Sequence, residues 1–240
     1  MAVPERIPFV ALLLAAGSSS RLGGDTPKQF LALRGRTILE WSAVRLARVP
    51  GHVATVLAVD STSVATRVVA MSNELERAMV VATLEGGLTR QESCRRAFNA
   101  AAALDEAWSV VAVHDCARPF FSVADTERAV RLAHERGGAI LGHGARDTLK
   151  RVKGDGRIDG TIDRDSVFQA ATPQVFRRDC FERMLAFADQ EGITGTDEAG
   201  LAEACGVEVH AVESSSTNLK ITYESDLQLA RGLEKLLEDE

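Results

Sequence analysis

The chain has 240 residues, which is enough for one sizeable α/β domain. With 45% hydrophobic, 26% charged and 5% aromatic residues, it has the composition of a globular protein whose core consists mainly of Ala, Val, Leu and Ile. The net charge of −6, without a conspicuous cluster of Lys and Arg, argues against a nucleic-acid partner.

The cysteines and the N-terminus indicate the compartment. The four cysteines are widely spaced and form no C-x-x-C pair, so we expect reduced thiols and no zinc site. They are Cys94, Cys116, Cys180 and Cys205. The first apolar run has only about eight residues, which is too short to cross a membrane, and Pro8 argues against a signal peptide. We therefore expect a cytoplasmic protein without a membrane partner.

Apolar strands alternate with helical segments through the first part of the chain. Strands are predicted at residues 9–14, 53–59, 79–82, 110–113 and 139–141. Helices are predicted at residues 37–49, 63–75 and 89–103, and from a capping box at 122–125 to Gly137. This alternation predicts a doubly wound α/β sheet, in which ligands bind at the carboxyl ends of the strands. The loops at Gly17, Gly86-Gly87 and His114-Asp115 are expected at that edge.

Residues 144–172 interrupt the alternation. Two polar runs, 147–152 and 157–159, flank Gly154-Asp155-Gly156 and predict a hairpin. The segment has too few apolar residues to cover a core of its own. From these residues alone, two interpretations stay open: an ordinary surface hairpin, or an arm that contacts a second subunit.

The last part of the chain returns to helices and strands. Helices are predicted at 177–188 and 197–204, strands at 207–212 and 219–223, and a final helix capped by Ser225. There is no internal repeat and no low-complexity linker. We therefore expect a single domain over residues 1–240, with an arm at about 144–172.

The loop after the first strand carries the clearest chemical signal. It reads Leu14-Ala15-Ala16-Gly17-x-x-x-Arg21-Leu22-Gly23 and is followed by Pro27-Lys28. Small residues let a triphosphate approach the backbone N–H groups. Arg21 and Lys28 add the positive charge that transfer of a phosphoryl or nucleotidyl group needs. The loop is neither a Walker A loop nor G-x-G-x-x-G.

This loop, extended to Pro27-Lys28-Gln29, resembles the opening of the nucleotidyltransferases that activate sugars and sugar alcohols. Further strings narrow the resemblance to the 2-C-methyl-D-erythritol 4-phosphate cytidylyltransferases, enzymes of the non-mevalonate isoprenoid route. They are Gly86-Gly87-x-x-Arg90-Gln91-x-Ser93, His114-Asp115-x-Ala117-Arg118-Pro119, Asp147-Thr148-x-Lys150, Asp163-Arg164, Thr172-Pro173-Gln174, Thr196-Asp197-Glu198-Ala199 and Asn218-x-Lys220-Ile221-Thr222. The strings run in order from about residue 9 to about residue 232.

The resemblance implies a Rossmann-like mixed sheet of the nucleotide-diphospho-sugar transferase type, with a protruding β-hairpin arm. It implies that CTP and 2-C-methyl-D-erythritol 4-phosphate react to give 4-diphosphocytidyl-2-C-methyl-D-erythritol and pyrophosphate. The implied cofactor is Mg²⁺. In the family the arm crosses to a partner subunit, so the resemblance also implies a homodimer with shared sites.

The resemblance assigns roles to individual residues. Arg21 and Lys28 would stabilise the transition state. The CTP site would contain Ala15, Ala16, Gly17, Arg21, Lys28, Gly87, Ser93, Asp115 and Lys220. The substrate site would contain Arg118, Thr148, Arg164, Thr172, Thr196 and Lys220. Asp115 would lie near the ribose and the metal, without a choice between them, and His114 is expected to be packed or hydrogen-bonded.

Three positions depart from the family pattern. Ser19 stands where glycine is frequent, Leu88 where a polar residue is frequent, and Cys116 where alanine is usual. None of them removes a charge that the reaction needs. Cys116 could place a thiol near the nucleotide.

Three other functions compete with this one. A ribitol-5-phosphate cytidylyltransferase would share the fold and most of the CTP site, but Lys150 and the string at 161–164 favour methylerythritol phosphate. A dinucleotide-dependent oxidoreductase would need G-x-G-x-x-G. A non-catalytic nucleotide-binding module would bind CTP without releasing pyrophosphate.

Overall fold

A mixed β-sheet lies at the centre of the fold. The computed structural model describes residues 6–17, 26–60 and 67–237. Its strands are β1 (Phe9–Ala15), β2 (Ala32–Leu33), β3 (Arg36–Thr37), β4 (His52–Val59), β5 (Val80–Glu85), β6 (Val110–Asp115), β7 (Gly138–Gly144), β8 (Leu149–Val152), β9 (Ile158–Ile162), β10 (Phe168–Arg177) and β11 (Val209–Glu213). The α-helices of this part of the chain are α1 (Ile38–Arg48), α2 (Ser72–Arg77), α3 (Arg90–Ala102), α4 (Val123–Arg136), α5 (Arg178–Glu191), α6 (Glu198–Ala204) and α7 (Glu224–Gly232).

The main sheet has seven strands in the order β11-β7-β10-β6-β1-β4-β5. β10 is antiparallel to both of its neighbours, β6 and β7, and the other paired strands are parallel. The carboxyl ends of β1 and β6 therefore meet at one edge of the sheet, where the sequence predicts ligand binding.

Both faces of the sheet are covered, because successive side chains of a strand point to opposite faces. In β1, Phe9, Ala11 and Leu13 join a cluster with residues of α1 and α4. Val10 and Leu12 join a second cluster with residues of α3, α5 and α6. All seven residues of β1 are buried, as expected of a central strand with helices on both sides. The predicted doubly wound α/β fold is confirmed.

The hairpin at 147–159 is also confirmed. β8 and β9 form an antiparallel pair in a small sheet of their own, and most of their residues are exposed. The chain returns to the main sheet at Phe168, so residues 168–172, expected at the end of the arm, belong to β10 instead. The sequence does not predict this strand, because a proline is unusual inside a strand and Pro173 lies in the middle of β10. The pairing with β7 is irregular between Ala170 and Gln174.

Two predictions at the C-terminus are wrong. Residues 219–223 form no strand: this segment is irregular, and the Ile221 N–H donates to the carbonyl of Ala117 at 2.9 Å. Ser225 lies inside α7 and does not cap it. The Asp226 carboxylate instead accepts the N–H groups of Thr222 and Tyr223, both at 2.8 Å.

The remaining predicted elements match the structure to within a few residues. The Ser122 hydroxyl accepts the Asp125 N–H at 3.1 Å and caps α4 as expected. The predicted helix at 63–75 lies partly outside the described residues, and α2 covers its last part. In the described ranges, no helix is long and apolar enough to cross a membrane.

Candidate active site

A cleft opens at the carboxyl ends of β1 and β6. Its lining consists of Leu14, Ala15, Ala16, Gly17, Lys28, Gln29, Arg90, Ser93, Asp115, Cys116, Ala117 and Lys220. Most of the residues that the sequence assigned to the CTP site are in this lining. The fold thus brings together residues that are as far apart in the chain as Ala15 and Lys220.

Lys28, the lysine predicted to be catalytic, is held near the end of β1 by a hydrogen bond of its neighbour Gln29. Lys28 begins a short 3-10 helix, Lys28–Phe30. The next residue, Gln29, is 1% exposed and donates from Nε2 to the carbonyl of Ala15 at 3.0 Å. This bond links Lys28 to the small residues of the loop and was not foreseen from the sequence. The predicted partner of Lys28, Arg21, lies outside the described residues, as does Ser19.

The two glycines after β5 allow a close approach between two loops. A Cβ on Gly86 would lie 2.4 Å from the Ala16 Cβ, which is far inside van der Waals contact. The N–H of Gly87 donates to the Ser93 Oγ at 2.9 Å, and that hydroxyl donates to the carbonyl of Thr89 at 2.9 Å. Glycine at 86 is therefore required by contact with Ala16, in the loop after β1. The predicted approach to the cytosine stays a prediction.

Asp115, the last residue of β6, is surrounded by cations. Its Oδ2 accepts a hydrogen bond from Lys220 Nζ at 2.7 Å, and its Oδ1 accepts one from Arg90 Nε at 3.2 Å. Arg118 Nε lies 4.0 Å from Oδ2. Burial alone would raise the pKa of this carboxyl, but Arg90, Lys220 and Arg118 hold it well below the ordinary value. Asp115 is therefore ionised at neutral pH.

Arg90 connects Asp115 to a buried glutamate that the sequence did not single out. Arg90 Nη1 lies 2.6 Å from Glu198 Oε1, and Glu198 is 4% exposed. Burial raises the pKa of Glu198, and Arg90 opposes that effect. Burial would lower the pKa of Arg90, but Glu198 and Asp115 outweigh it and raise that pKa. Two carboxylates thus hold the guanidinium in place, and it in turn orients Asp115.

The first turn of α6 fixes the position of Glu198. Asp197 caps this helix by accepting the Gly200 N–H at 2.9 Å. From β10, Gln174 donates from Nε2 to Asp197 Oδ2 and accepts the Ala199 N–H, both at 2.9 Å. The string Thr196-Asp197-Glu198-Ala199 contained this signal, because its acidic residues open a helix.

His114 is buried and hydrogen-bonded, as expected. Its Nε2 is 3.2 Å from the carbonyl of Arg118, which can only accept, so Nε2 carries the proton. Nδ1 then accepts the Thr172 hydroxyl at 3.0 Å. Burial lowers the pKa of His114 to about 3, so the ring is neutral. The Thr172 Oγ1 also accepts the Asp115 N–H at 3.0 Å, which positions the end of β6.

The predicted substrate residues lie in three places. Arg118 and Thr172 lie beside Asp115: Arg118 Nε is 4.0 Å from Asp115 Oδ2, and Thr172 Oγ1 accepts the Asp115 N–H. Arg118 Nη1 also donates to the carbonyl of Asn218 at 2.9 Å. Thr196 is exposed just before α6. Thr148 and Arg164 are exposed at the two ends of the hairpin, where Arg164 Nη1 donates to the carbonyl of Arg146 at 3.0 Å. Within one chain, these last two residues are on the arm and not in the cleft lining.

Two of the three residues that depart from the family pattern, Leu88 and Cys116, lie in the described part of the chain. Leu88 is fully exposed, and its N–H donates to Glu92 Oε2 at 2.8 Å. Cys116 lines the cleft but is 3% exposed, and burial raises the pKa of its thiol to about 12. The thiol is therefore protonated and unreactive.

The donor atoms available to a metal are few. In residues 6–17, 26–60 and 67–237, no group of three or more His, Cys, Asp or Glu side chains could hold a metal ion. Asp115 supplies the carboxylate in the described part of the cleft lining. A metal bound here would need most of its ligands from the substrate or water.

The comparisons with known proteins agree with one another. Residues 9–235 match the model of the family described as 2-C-methyl-D-erythritol 4-phosphate cytidylyltransferase. A relative of that name from Acidobacterium capsulatum is 38% identical over 227 residues, covering 91% of this chain and 94% of the relative. One from Aeromonas hydrophila is 39% identical over 224 residues, covering 92% and 88%. The crystal structure of the cytidylyltransferase of that name from Thermus thermophilus aligns with a TM-score of 0.75 at 29% identity, covering 93% of this chain and 98% of the other.

Proposed function

The chain belongs to the 2-C-methyl-D-erythritol 4-phosphate cytidylyltransferase family, and we propose that the cleft described above carries out this family's reaction. The enzyme is a nucleotidyltransferase that joins CTP and 2-C-methyl-D-erythritol 4-phosphate. The products are 4-diphosphocytidyl-2-C-methyl-D-erythritol and pyrophosphate, and the reaction is a step of non-mevalonate isoprenoid biosynthesis.

The observation that carries the proposal is the charge balance at the carboxyl edge of β1 and β6. Four cationic side chains, Lys28, Arg90, Arg118 and Lys220, lie in or beside the cleft. Two carboxylates, Asp115 and Glu198, offset part of this charge. The excess positive charge lies beside the small residues 15–17, as a triphosphate requires.

The reaction needs charge stabilisation and positioning more than proton transfer. A phosphate oxygen of the acceptor attacks the α-phosphorus of CTP, a new P–O bond forms, and the bond to the β-phosphate oxygen breaks to release pyrophosphate. The attacking oxygen is already anionic, so no general base is needed. The buried, neutral His114 is consistent with this. We propose that Lys28, together with Arg21, stabilises the charge that develops on the phosphates, and that Lys220 holds CTP or the acceptor phosphate.

Mg²⁺ is part of the proposal, and the residues of the cleft fit it. Both oxygens of Asp115 accept hydrogen bonds from cations, but each retains a second lone pair. Mg²⁺ commonly binds through one or two carboxylates together with substrate phosphates, so a single Asp115 is sufficient. When bound, the ion would supply positive charge to the phosphates of CTP. Asp115 would hold the ion or a ribose hydroxyl of the nucleotide.

Assembly and location complete the proposal. Thr148 and Arg164 are exposed on a hairpin that forms a sheet of its own, which supports an arm completing the polyol-phosphate site of a partner subunit in a cytoplasmic homodimer. Mixing Lys28→Ala subunits with Arg164→Ala subunits should restore part of the activity if sites are shared. If activity does not recover although subunit exchange is proven, the arm does not cross to the partner subunit.

The test of the reaction is pyrophosphate release with CTP and Mg²⁺, with 2-C-methyl-D-erythritol 4-phosphate and ribitol 5-phosphate as parallel acceptors. We expect release with the first acceptor only. Release with ribitol 5-phosphate alone would keep the chemistry and change the substrate. CTP binding without release from either acceptor would indicate a binding module.

A further inference from the structure

The loop between α5 and α6, residues 193–197, carries Thr196, which is predicted to bind the acceptor. The loop adjoins the cleft, because the residue after it, Glu198, pairs with Arg90 of the cleft lining. Its residues are neither helical nor part of a strand. The backbone N–H and C=O groups of such a segment need partners from elsewhere, and these partners decide where Thr196 is held.

Gln91 supplies two of these partners. Its Nε2 donates to the carbonyl of Ile193 at 3.0 Å, and its Oε1 accepts the N–H of Gly195 at 2.7 Å. A primary amide both donates and accepts, so one side chain pairs with the loop much as a neighbouring strand would. Gln91 lies in the first turn of α3 and is not among the residues described as lining the cleft. It therefore holds the loop and not a ligand in the cleft.

The other end of the loop is fixed by Gln174 of β10. This side chain pairs with the carboxylate of Asp197 and with the N–H of Ala199. Between the two glutamines the backbone turns tightly, since a Cβ on Gly195 would lie 2.9 Å from the carbonyl oxygen of Asp197. Thr196 lies between these two residues and is thus held from both sides, although it is itself exposed.

We propose that Gln91 is a positioning residue for the acceptor, because it holds the loop that presents the Thr196 hydroxyl. This inference rests on the proposed function and on the role that the family resemblance gives to Thr196. A hydroxyl stabilises a bound group only at the right distance and angle, so a loop released from Gln91 would keep Thr196 but lose its alignment. CTP binding should not change, because Ser93 holds Gly87 through hydrogen bonds that do not involve Gln91.

Gln91→Ala is the first test, because it removes both hydrogen bonds at a half-buried position. We expect kcat/KM for 2-C-methyl-D-erythritol 4-phosphate to fall about three- to tenfold, the effect of one misaligned neutral hydrogen bond to the substrate. The KM for CTP should stay within about twofold of the wild type, and the melting temperature should fall by only about 2–6 °C.

The matched control for this variant is Arg95→Ala. Arg95 lies one turn further along α3 and donates to the carboxylate of Asp189 on α5. Its loss loosens the contact between the same two helices without removing a bond to the loop at 193–197. The control should therefore leave kcat/KM for the acceptor unchanged.

A double variant with Thr196→Ala separates positioning from a general loosening of the structure. Thr196→Ala alone should lower kcat/KM for the acceptor at least as much as Gln91→Ala does. The double variant should be no worse than Thr196→Ala, because the hydroxyl that Gln91 positions is then already absent. A merely structural role of Gln91 would instead multiply the two losses.

Several results would overturn the assignment of Gln91. They are an effect of Gln91→Ala within twofold of that of Arg95→Ala, an equal effect on the KM values for CTP and the acceptor, a Thr196→Ala variant with normal kinetics, and multiplied losses in the double variant. Pyrophosphate release by the wild type is measured first. Its absence overturns the proposed function and this inference together, whereas an active wild type with any of these results overturns this inference alone.

Discussion

Replacing Glu198 by alanine would leave the buried guanidinium of Arg90 with one carboxylate instead of two. In the native structure, Arg90 Nη1 is 2.6 Å from Glu198 Oε1 and Arg90 Nε is 3.2 Å from Asp115 Oδ1. The side chain of Glu198 is 5% exposed, whereas that of Arg90 is 28% exposed and borders the cleft, so solvent can replace the lost partner only in part. Without Glu198, Arg90 is also no longer held in the orientation that contacts Asp115.

The expected loss of stability is about 3–5 kcal/mol, the usual effect of removing one partner of a buried ion pair. For a chain of this size, each kcal/mol corresponds to a shift in melting temperature of about 2–4 °C, so we expect a decrease of roughly 6–20 °C. In the fraction that remains folded, kcat/KM for both substrates should fall, because Asp115 loses its orientation. Replacing both partners, as in Arg90→Met with Glu198→Leu, should recover much of the stability but not the activity.

Urea unfolding and thermal unfolding measure the stability, and steady-state kinetics below the transition measure the activity. Glu203→Ala is the matched control, because Glu203 lies exposed on the same helix, α6. Its effect should be within about 0.5 kcal/mol of zero. If Glu198→Ala is no more destabilising than Glu203→Ala, or if the double variant is as unstable as the single one, the buried pair does not have the role assigned to it.

Individual groups of the site lead to three further predictions. Burial lowers the pKa of His114 to about 3, so its neutral form stabilises the fold fully above about pH 6.5, and that contribution is lost as the pH falls towards 3. His114→Gln should therefore reduce the difference in unfolding free energy between pH 7 and pH 4.5, and an unchanged difference would refute this. Gly86→Ala places a Cβ 2.4 Å from that of Ala16 and should raise the KM for CTP about tenfold or more, whereas Gly154→Ala, where a Cβ meets open space, should have no effect. Equal KM values for CTP in the two variants would contradict the close approach of the loops. Lys28→Ala and Arg21→Ala should each lower kcat about a hundredfold or more with the melting temperature retained, and near-normal turnover would remove that residue from the catalytic machinery.

The sequence predicted which residues meet at the cleft better than it predicted some of the secondary structure. The strings around Lys28, Ser93, Asp115 and Lys220 contribute to one cleft lining, because loops at the carboxyl ends of strands lie at the same edge of the sheet. The roles assigned to these residues stay predictions. Strand β10 was missed because Pro173 interrupts its pattern and the residues between Phe168 and Pro173 are small or polar. The strand expected at 219–223 is an irregular segment, although its apolar Ile221 is fully buried as a strand residue would be.

Local patterns therefore determined the fold class, the order of the main elements, the family and most of the residues of the cleft lining, since hydrophobic periodicity and loop composition depend on neighbours in the chain. The tertiary structure alone decided which charges pair. Arg90 and Glu198 are separated by more than a hundred residues, and their side chains come within 2.6 Å only because α3 and α6 contribute to the same core cluster on one face of the sheet.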